Sequence, residues 1–176
     1  MGLLPREQYM DFLSGYSAVN QGHCHPRIVA ALREQAELCT LSSRAFYNDK
    51  FPLFAKMMTE VFEFERILPM NSGAEAVDTA LKVARKWGYE RKGIDEDKVG
   101  IVSACGCFHG RTFGAISMSC SPSAVEGFGP HLPNQEKVDY GDSEQLSQLF
   151  ESKGSQIAAF IVEPIQVRAP SVHRQA

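Results

Sequence analysis

No stretch of this 176-residue chain is apolar for long enough to span a bilayer. No run of lysine and arginine occurs, and the net charge is −3, so no nucleic-acid footprint is expected. Neither a membrane nor a nucleic acid is therefore read as a partner. The N-terminus, Met1-Gly2-Leu3-Leu4-Pro5-Arg6-Glu7, has too short an apolar run for a secretory signal and lacks the Arg- and Ser-rich length of a presequence. Compartment is not legible from it. Cysteines number 5, an odd count, and no C-x-x-C pair is present. That excludes a disulfide framework, and five reduced thiols are expected. His23-Cys24-His25 is too compact to converge on one ion without further ligands, so no metal is expected. There is no G-x-G-x-x-G, no Walker A sequence and no G-x-S-x-G elbow. Dinucleotide, P-loop and serine-hydrolase readings lose their main support.

What is there is a globular balance: 44% hydrophobic and 22% charged residues. The length allows one domain with a real core. Apolar residues at three- and four-residue steps predict helices over 26–39, 51–64 and 74–91. On the last, Val77, Ala80, Leu81, Ala84, Trp87 and Gly88 are expected on one face, small enough to pack closely on a sheet. A strand is expected at about 98–103. Residues 112–119 read equally as helix or strand, 121–135 as a long loop, and 142–152 as a short helix. Ile157-Ala158-Ala159-Phe160-Ile161-Val162 reads as a strand buried on both faces. Helices alternating with such strands predict an α/β fold with a mainly parallel sheet.

Three segments carry chemistry. Asn71-Ser72-Gly73-Ala74 opens the third helix, where unpaired N–H groups and the positive end of the macrodipole suit a phosphate. Ser72 and Glu75 also fit a capping box, which needs no ligand. Cys107-Phe108-His109-Gly110-Arg111-Thr112 follows the first strand, and Glu163-Pro164-Ile165-Gln166 follows the last. In open α/β sheets ligands sit beyond the carboxyl ends of strands. Individually, Phe108 could be core, Arg111 a solvated charge and Glu163 a cap. Their arrival at one sheet edge favours a site.

These segments, with Ser17-Ala18-Val19-Asn20-Gln21-Gly22-His23, Ser43-Arg44-Ala45-Phe46-Tyr47-Asn48 and Gly127-Phe128-Gly129-Pro130, resemble class-III aminotransferases, and within them the ornithine-using branch. The likeness runs over about residues 9–166. It implies part of the fold-type-I large domain and pyridoxal 5'-phosphate (PLP) as cofactor. Residues 1–50 would lead into that domain, 51–166 would form part of it, and 167–176 would be a disordered tail outside the family pattern. The implied reaction moves the terminal amino group of ornithine to 2-oxoglutarate, giving glutamate and glutamate semialdehyde, which cyclises. Ser72, Gly73 and Ala74 would hold the PLP phosphate, Phe108 would stack on its ring, and Glu163 would lie near it. Arg111 would pair with a substrate carboxylate and Tyr16 would line the substrate pocket. The family is a homo-oligomer built on dimers, mitochondrial or cytosolic. Position 109 departs from several members of the branch, with His in place of Trp.

PLP transamination also needs a Schiff-base lysine and an acid on the ring nitrogen. In the family both follow the Glu-Pro-Ile-Gln segment, where this sequence reads Val167-Arg168-Ala169-Pro170. Lys82 and Lys86 lie in no matching context. The sequence as given is therefore expected to lack catalytic residues, to bind PLP weakly or not at all, and to be inactive alone. A non-catalytic form that pairs with a full-length subunit remains an alternative. So does a related transaminase acting on acetylornithine or 4-aminobutyrate, which Tyr16 and Gln21 disfavour.

Overall fold

The structure is a computed structural model that describes residues 7–166. The expectations for the N-terminal leader and for a disordered 167–176 tail fall largely or wholly outside those residues. The described chain forms two compact units, one up to Ile67 and one from Leu68.

The first unit holds a short turn α1 (Ser14–Ser17) and two amphipathic helices, α2 (Pro26–Leu38) and α3 (Lys50–Phe62). Pro26 opens α2, where its missing N–H is no loss. Glu63, in the left-handed conformation, ends α3. No residue of either helix is buried within the unit.

The second unit is α/β, as expected. It begins with α4 (Gly73–Glu90) and continues through β1 (Gly100–Ala104), α5 (Phe113–Ser117) and α6 (Pro122–Val125). β2 (Gln135–Val138), α7 (Ser143–Lys153) and β3 (Ile157–Ile161) follow. The sheet order is β2-β1-β3, and both pairings are parallel. β1 lies between its neighbours and every one of its residues is buried. Its alternate side chains serve two cores. Ile101 packs with Leu81 and Met118, flanked by Val77, Ala84, Ala159 and Ile161. Val102 packs with Val138 and Ile157, flanked by Leu146 and Leu149 from α7. Each such side chain contributes about 1.5–3 kcal/mol of burial. Ser103 is buried but satisfied, its Oγ donating to the Met118 carbonyl at 3.0 Å.

Helix α4 packs as its small residues predicted. A Cβ at Gly88 would come within 2.7 Å of Val99 Cγ2, so only glycine admits this approach. The predicted face was too wide, however: Ala80 is exposed and Trp87 is 47% exposed. The 112–119 ambiguity resolves to helix α5. The expected 121–135 loop contains α6, and its last residue begins β2, a strand the sequence reading missed. β2 is short and polar on its open side; only Val138 is fully buried. Residues 157–162, expected to be buried on both faces, are less covered among the described residues: β3 pairs there with β1 alone, and only Ile157 is fully buried. Phe160 and Val162 remain exposed. Among the described residues no helix is long and apolar enough to cross a membrane.

Candidate functional site

Helix α4 starts at Gly73 with Ser72 as its cap in extended conformation. Ser72 Oγ accepts the Glu75 N–H at 3.2 Å, and Glu75 Oε2 accepts the Asn71 N–H at 2.8 Å. The Ala76 N–H goes to the Ser72 carbonyl. The Ser72 half of the capping box therefore forms, while Glu75 reaches back past the cap to Asn71; with the first helix bond, this satisfies the N–H groups of Asn71, Glu75 and Ala76. It leaves the N–H groups of Gly73 and Ala74 without an acceptor among the described residues. A Cβ at Gly73 would meet nothing within 4 Å. Capping and anion binding are therefore compatible, because they use different N–H groups. Two free donors on open space at a helix N-terminus fit a phosphate.

The turn after β1 lies against this helix start. Gly110 has φ +123°, and a Cβ there would come 3.2 Å from the Ala74 Cβ. Glycine lets the turn pass close to the first turn of α4. Two residues earlier, the Phe108 N–H donates to both Glu163 carboxylate oxygens at 3.3 Å. Gln166 Nε2 donates to the Cys105 carbonyl at 2.9 Å, and Tyr140 OH donates to the Pro164 carbonyl at 2.8 Å. The Glu163–Gln166 segment thus braces the turn that presents Phe108. Phe108 is 54% exposed, outside the core of the described residues. The Arg111 guanidinium lies 5.8 Å from its centroid, a cation–π contact.

A cavity of about 1050 Å³ opens on this turn, lined by Phe108, His109, Arg111, α5, Ser119, Ser121 and Phe128. Neither the α4 N-terminus nor Glu163 lines it. They join the site through Gly110 and the Phe108 N–H. No lysine lines the cavity. Burial pushes the His109 imidazole below its ordinary pKa, against the opposing pull of the Glu163 charge. Its buried Nε2 has no partner. Burial, helped by Glu163, pushes the Cys107 thiol up.

Tyr16 belongs to the first unit and is 76% exposed. Its φ of +57° is rare for a bulky residue. The loop around it is pinned by Asp11. Oδ1 accepts the N–H groups of Leu13 and Ser14 at 2.9 Å, and Oδ2 pairs with His23 Nε2 at 2.6 Å. The His23 bond leads in holding the Asp11 carboxyl down at about 2.

The thiol expectation is corrected. Cys105 and Cys120 form a disulfide with Cα atoms 5.4 Å apart, leaving Cys24, Cys39 and Cys107 free. β1 ends at Ala104 and α5 ends at Ser117, so the fold brings the two following loops together. Sequence spacing alone carries no signal of this. Asp78 was also missed, and Thr112, within the second of the three segments, was given no role of its own. Thr112 Oγ1 donates to Asp78 Oδ1 at 3.0 Å. Asp78 lies one helical turn after Ala74, a spacing that could have flagged it.

A sequence profile of the family described as aminotransferase class-III matches residues 6–175. This chain belongs to the class-III aminotransferase family. Class-III aminotransferases are PLP-dependent transferases. Mitochondrial ornithine aminotransferase of Arabidopsis thaliana is 60% identical over 163 residues, covering 93% of this chain and 34% of that protein. The ornithine aminotransferase of Toxoplasma gondii superposes with a TM-score of 0.85 at 46% identity, over 90% of this chain and 37% of that one. Its crystals carried PLP at partial occupancy in the active site. The acetylornithine aminotransferase of Elizabethkingia anophelis superposes with a TM-score of 0.72 at 44% identity. The chain spans about a third of the length of the curated relatives it matches.

Proposed function

We propose that this chain carries the phosphate- and ring-binding part of an ornithine aminotransferase site. The observation that supports this most is the meeting of the α4 N-terminus and the Phe108–Arg111 turn at Gly110, where the two free N–H groups of Gly73 and Ala74 stand open. Those N–H groups, with Ser72 beside them, hold the cofactor phosphate. Phe108 offers its exposed face to the pyridine ring. Glu163 positions Phe108 through the backbone N–H and keeps a negative charge near the turn. Arg111, with a planar fork of donors, takes a substrate carboxylate. Tyr16 selects ornithine. When bound, PLP supplies an electron sink for the bonds at the substrate carbon that bears the amine. The residues lining the cavity supply no amine to anchor it covalently, so they bind and orient.

The whole-protein reaction is transfer of the terminal amino group of ornithine to 2-oxoglutarate in a dimer-based assembly. The test is a transplant. Residues 7–166 replace the matching segment of the Arabidopsis thaliana relative, and the chimera is assayed with ornithine, acetylornithine and 4-aminobutyrate. The expected result is PLP-dependent formation of glutamate from 2-oxoglutarate with ornithine preferred. A folded, PLP-loaded chimera that prefers acetylornithine or 4-aminobutyrate overturns the substrate assignment. One that binds no PLP overturns the cofactor assignment.

A further inference from the structure

Among the described residues the Arg111 guanidinium makes no hydrogen bond and no ion pair; its one noted contact is the Phe108 ring. The backbone on either side therefore fixes where the side chain departs and which region it can reach. That backbone is laid on α4 at two points. Gly110 packs on Ala74, and Gly114 packs on Asp78, where a Cβ would come 2.5 Å from Oδ1. The pairs match in spacing, four residues apart on each segment, and Arg111 and Thr112 lie between them. Between the two contacts runs one polar bond, Thr112 Oγ1 to Asp78 Oδ1 at 3.0 Å. The same hydroxyl accepts the Ala115 N–H at 3.2 Å and so caps α5. A hydroxyl has one proton to give, and here it goes to Asp78. Asp78 is partly buried in the interior of α4 and, among the described residues, forms no salt bridge. Aspartate is a poor helix-interior residue, so its place there costs local stability that this bond offsets.

We infer that Asp78 is a positioning residue: by holding the Thr112 hydroxyl it fixes Arg111 relative to the phosphate-binding end of α4. This rests on the reading of Arg111 as a carboxylate binder. A free turn would present the guanidinium over a range of directions. The bond narrows that range and ties it to the helix that seats the phosphate. A substrate carboxylate and the cofactor phosphate are then held in a fixed relation by a single helix.

The test uses the 176-residue chain with Asp78→Ala, Asp78→Asn, Thr112→Val and Thr112→Ser. Asn and Ser keep the bond; Ala and Val delete it. Loss of one such bond corresponds to about a tenfold faster amide exchange at Ala115. That acceleration is expected in D78A and T112V, with the buried β1 amides of Ile101 and Val102 unchanged. T112V also removes the direct cap of the Ala115 N–H, so the D78A/T112V double variant should match T112V and exceed D78A. Asp78→Asn and Thr112→Ser should restore slow exchange. A second arm follows the Arg111 Nε resonance on titration with 2-oxoglutarate, where affinity should fall in D78A and return in D78N. Wild-type exchange at Ala115 in D78A overturns the proposal, as does a D78N variant as damaged as D78A. If D78A does not fold, Asp78→Leu, which deletes the bond and keeps a side chain of similar length, decides in its place. A wild-type Arg111 that ignores 2-oxoglutarate refutes its substrate role, and the exchange arm still decides the role of Asp78.

Discussion

Gly73→Pro separates the cradle from the cap. Gly73 is the first residue of α4, the position where proline is best tolerated, because the N–H it removes is not used by the helix. Proline also restricts its predecessor to extended backbone. Ser72 is already extended, with φ −147° and ψ 163°. Nothing lies within 4 Å of a Cβ at Gly73, so the ring meets no obstacle. The folded state should therefore be unharmed, within about 0.5 kcal/mol. Proline at a compatible site can even stabilise by about 0.4–1 kcal/mol through the unfolded chain. Phosphate binding should suffer, because one of the two free donors is gone. A hydrogen bond to a charged group contributes about 1.5–3 kcal/mol, so affinity should drop by roughly ten- to a hundredfold. The assay pairs urea denaturation with a titration of pyridoxal 5'-phosphate followed at the Ala74 amide by NMR. A G73P chain that keeps wild-type stability and wild-type affinity would refute the cradle. One that unfolds would refute the assignment of Gly73 to the first helical position.

Gly110→Ala should behave in the opposite way. It combines φ +123° with a 3.2 Å contact to the Ala74 Cβ, so it should lose about 1–3 kcal/mol in denaturation, and an unchanged midpoint would contradict the packing. Thiol titration of the denatured, unreduced chain should count three cysteines, and five after reduction. With a sequence separation of 15, reduction should lower stability by about 3 kcal/mol on the chain-entropy model, and a count of five before reduction would remove the Cys105–Cys120 bond from the account. His109 is held neutral by burial, so its folded pKa lies below the ordinary 6.5. The unfolded chain then binds the extra proton first, and stability should fall as pH drops through that value towards the folded one. His109→Gln should flatten this slope; a slope identical to wild type would assign it to another group.

Much of this could be read from the sequence, for physical reasons. Helix α4 was legible almost to the residue, because its small-residue start, capping box and long apolar period all agree. The meeting of the three segments proposed for the site was legible because each stands at the end of an element whose pattern was clear. β2 was not, since Gln135-Glu136-Lys137-Val138 offers one core side chain and no alternation to count. The disulfide was missed because composition addresses compartment, while the Cys105–Cys120 meeting is made by the α5 turn. Asp78 was missed because its partner, Thr112, is 34 residues away and only the fold joins them.

The central claim is that the first turn of α4 binds the cofactor through its phosphate. Its most direct test is a pair of NMR titrations of the wild-type chain, one with pyridoxal 5'-phosphate and one with pyridoxal. The account predicts that the Gly73 and Ala74 amides shift with the phosphate ester, saturably, and stay in place with pyridoxal. Equal responses to both ligands, or none to either, would contradict it.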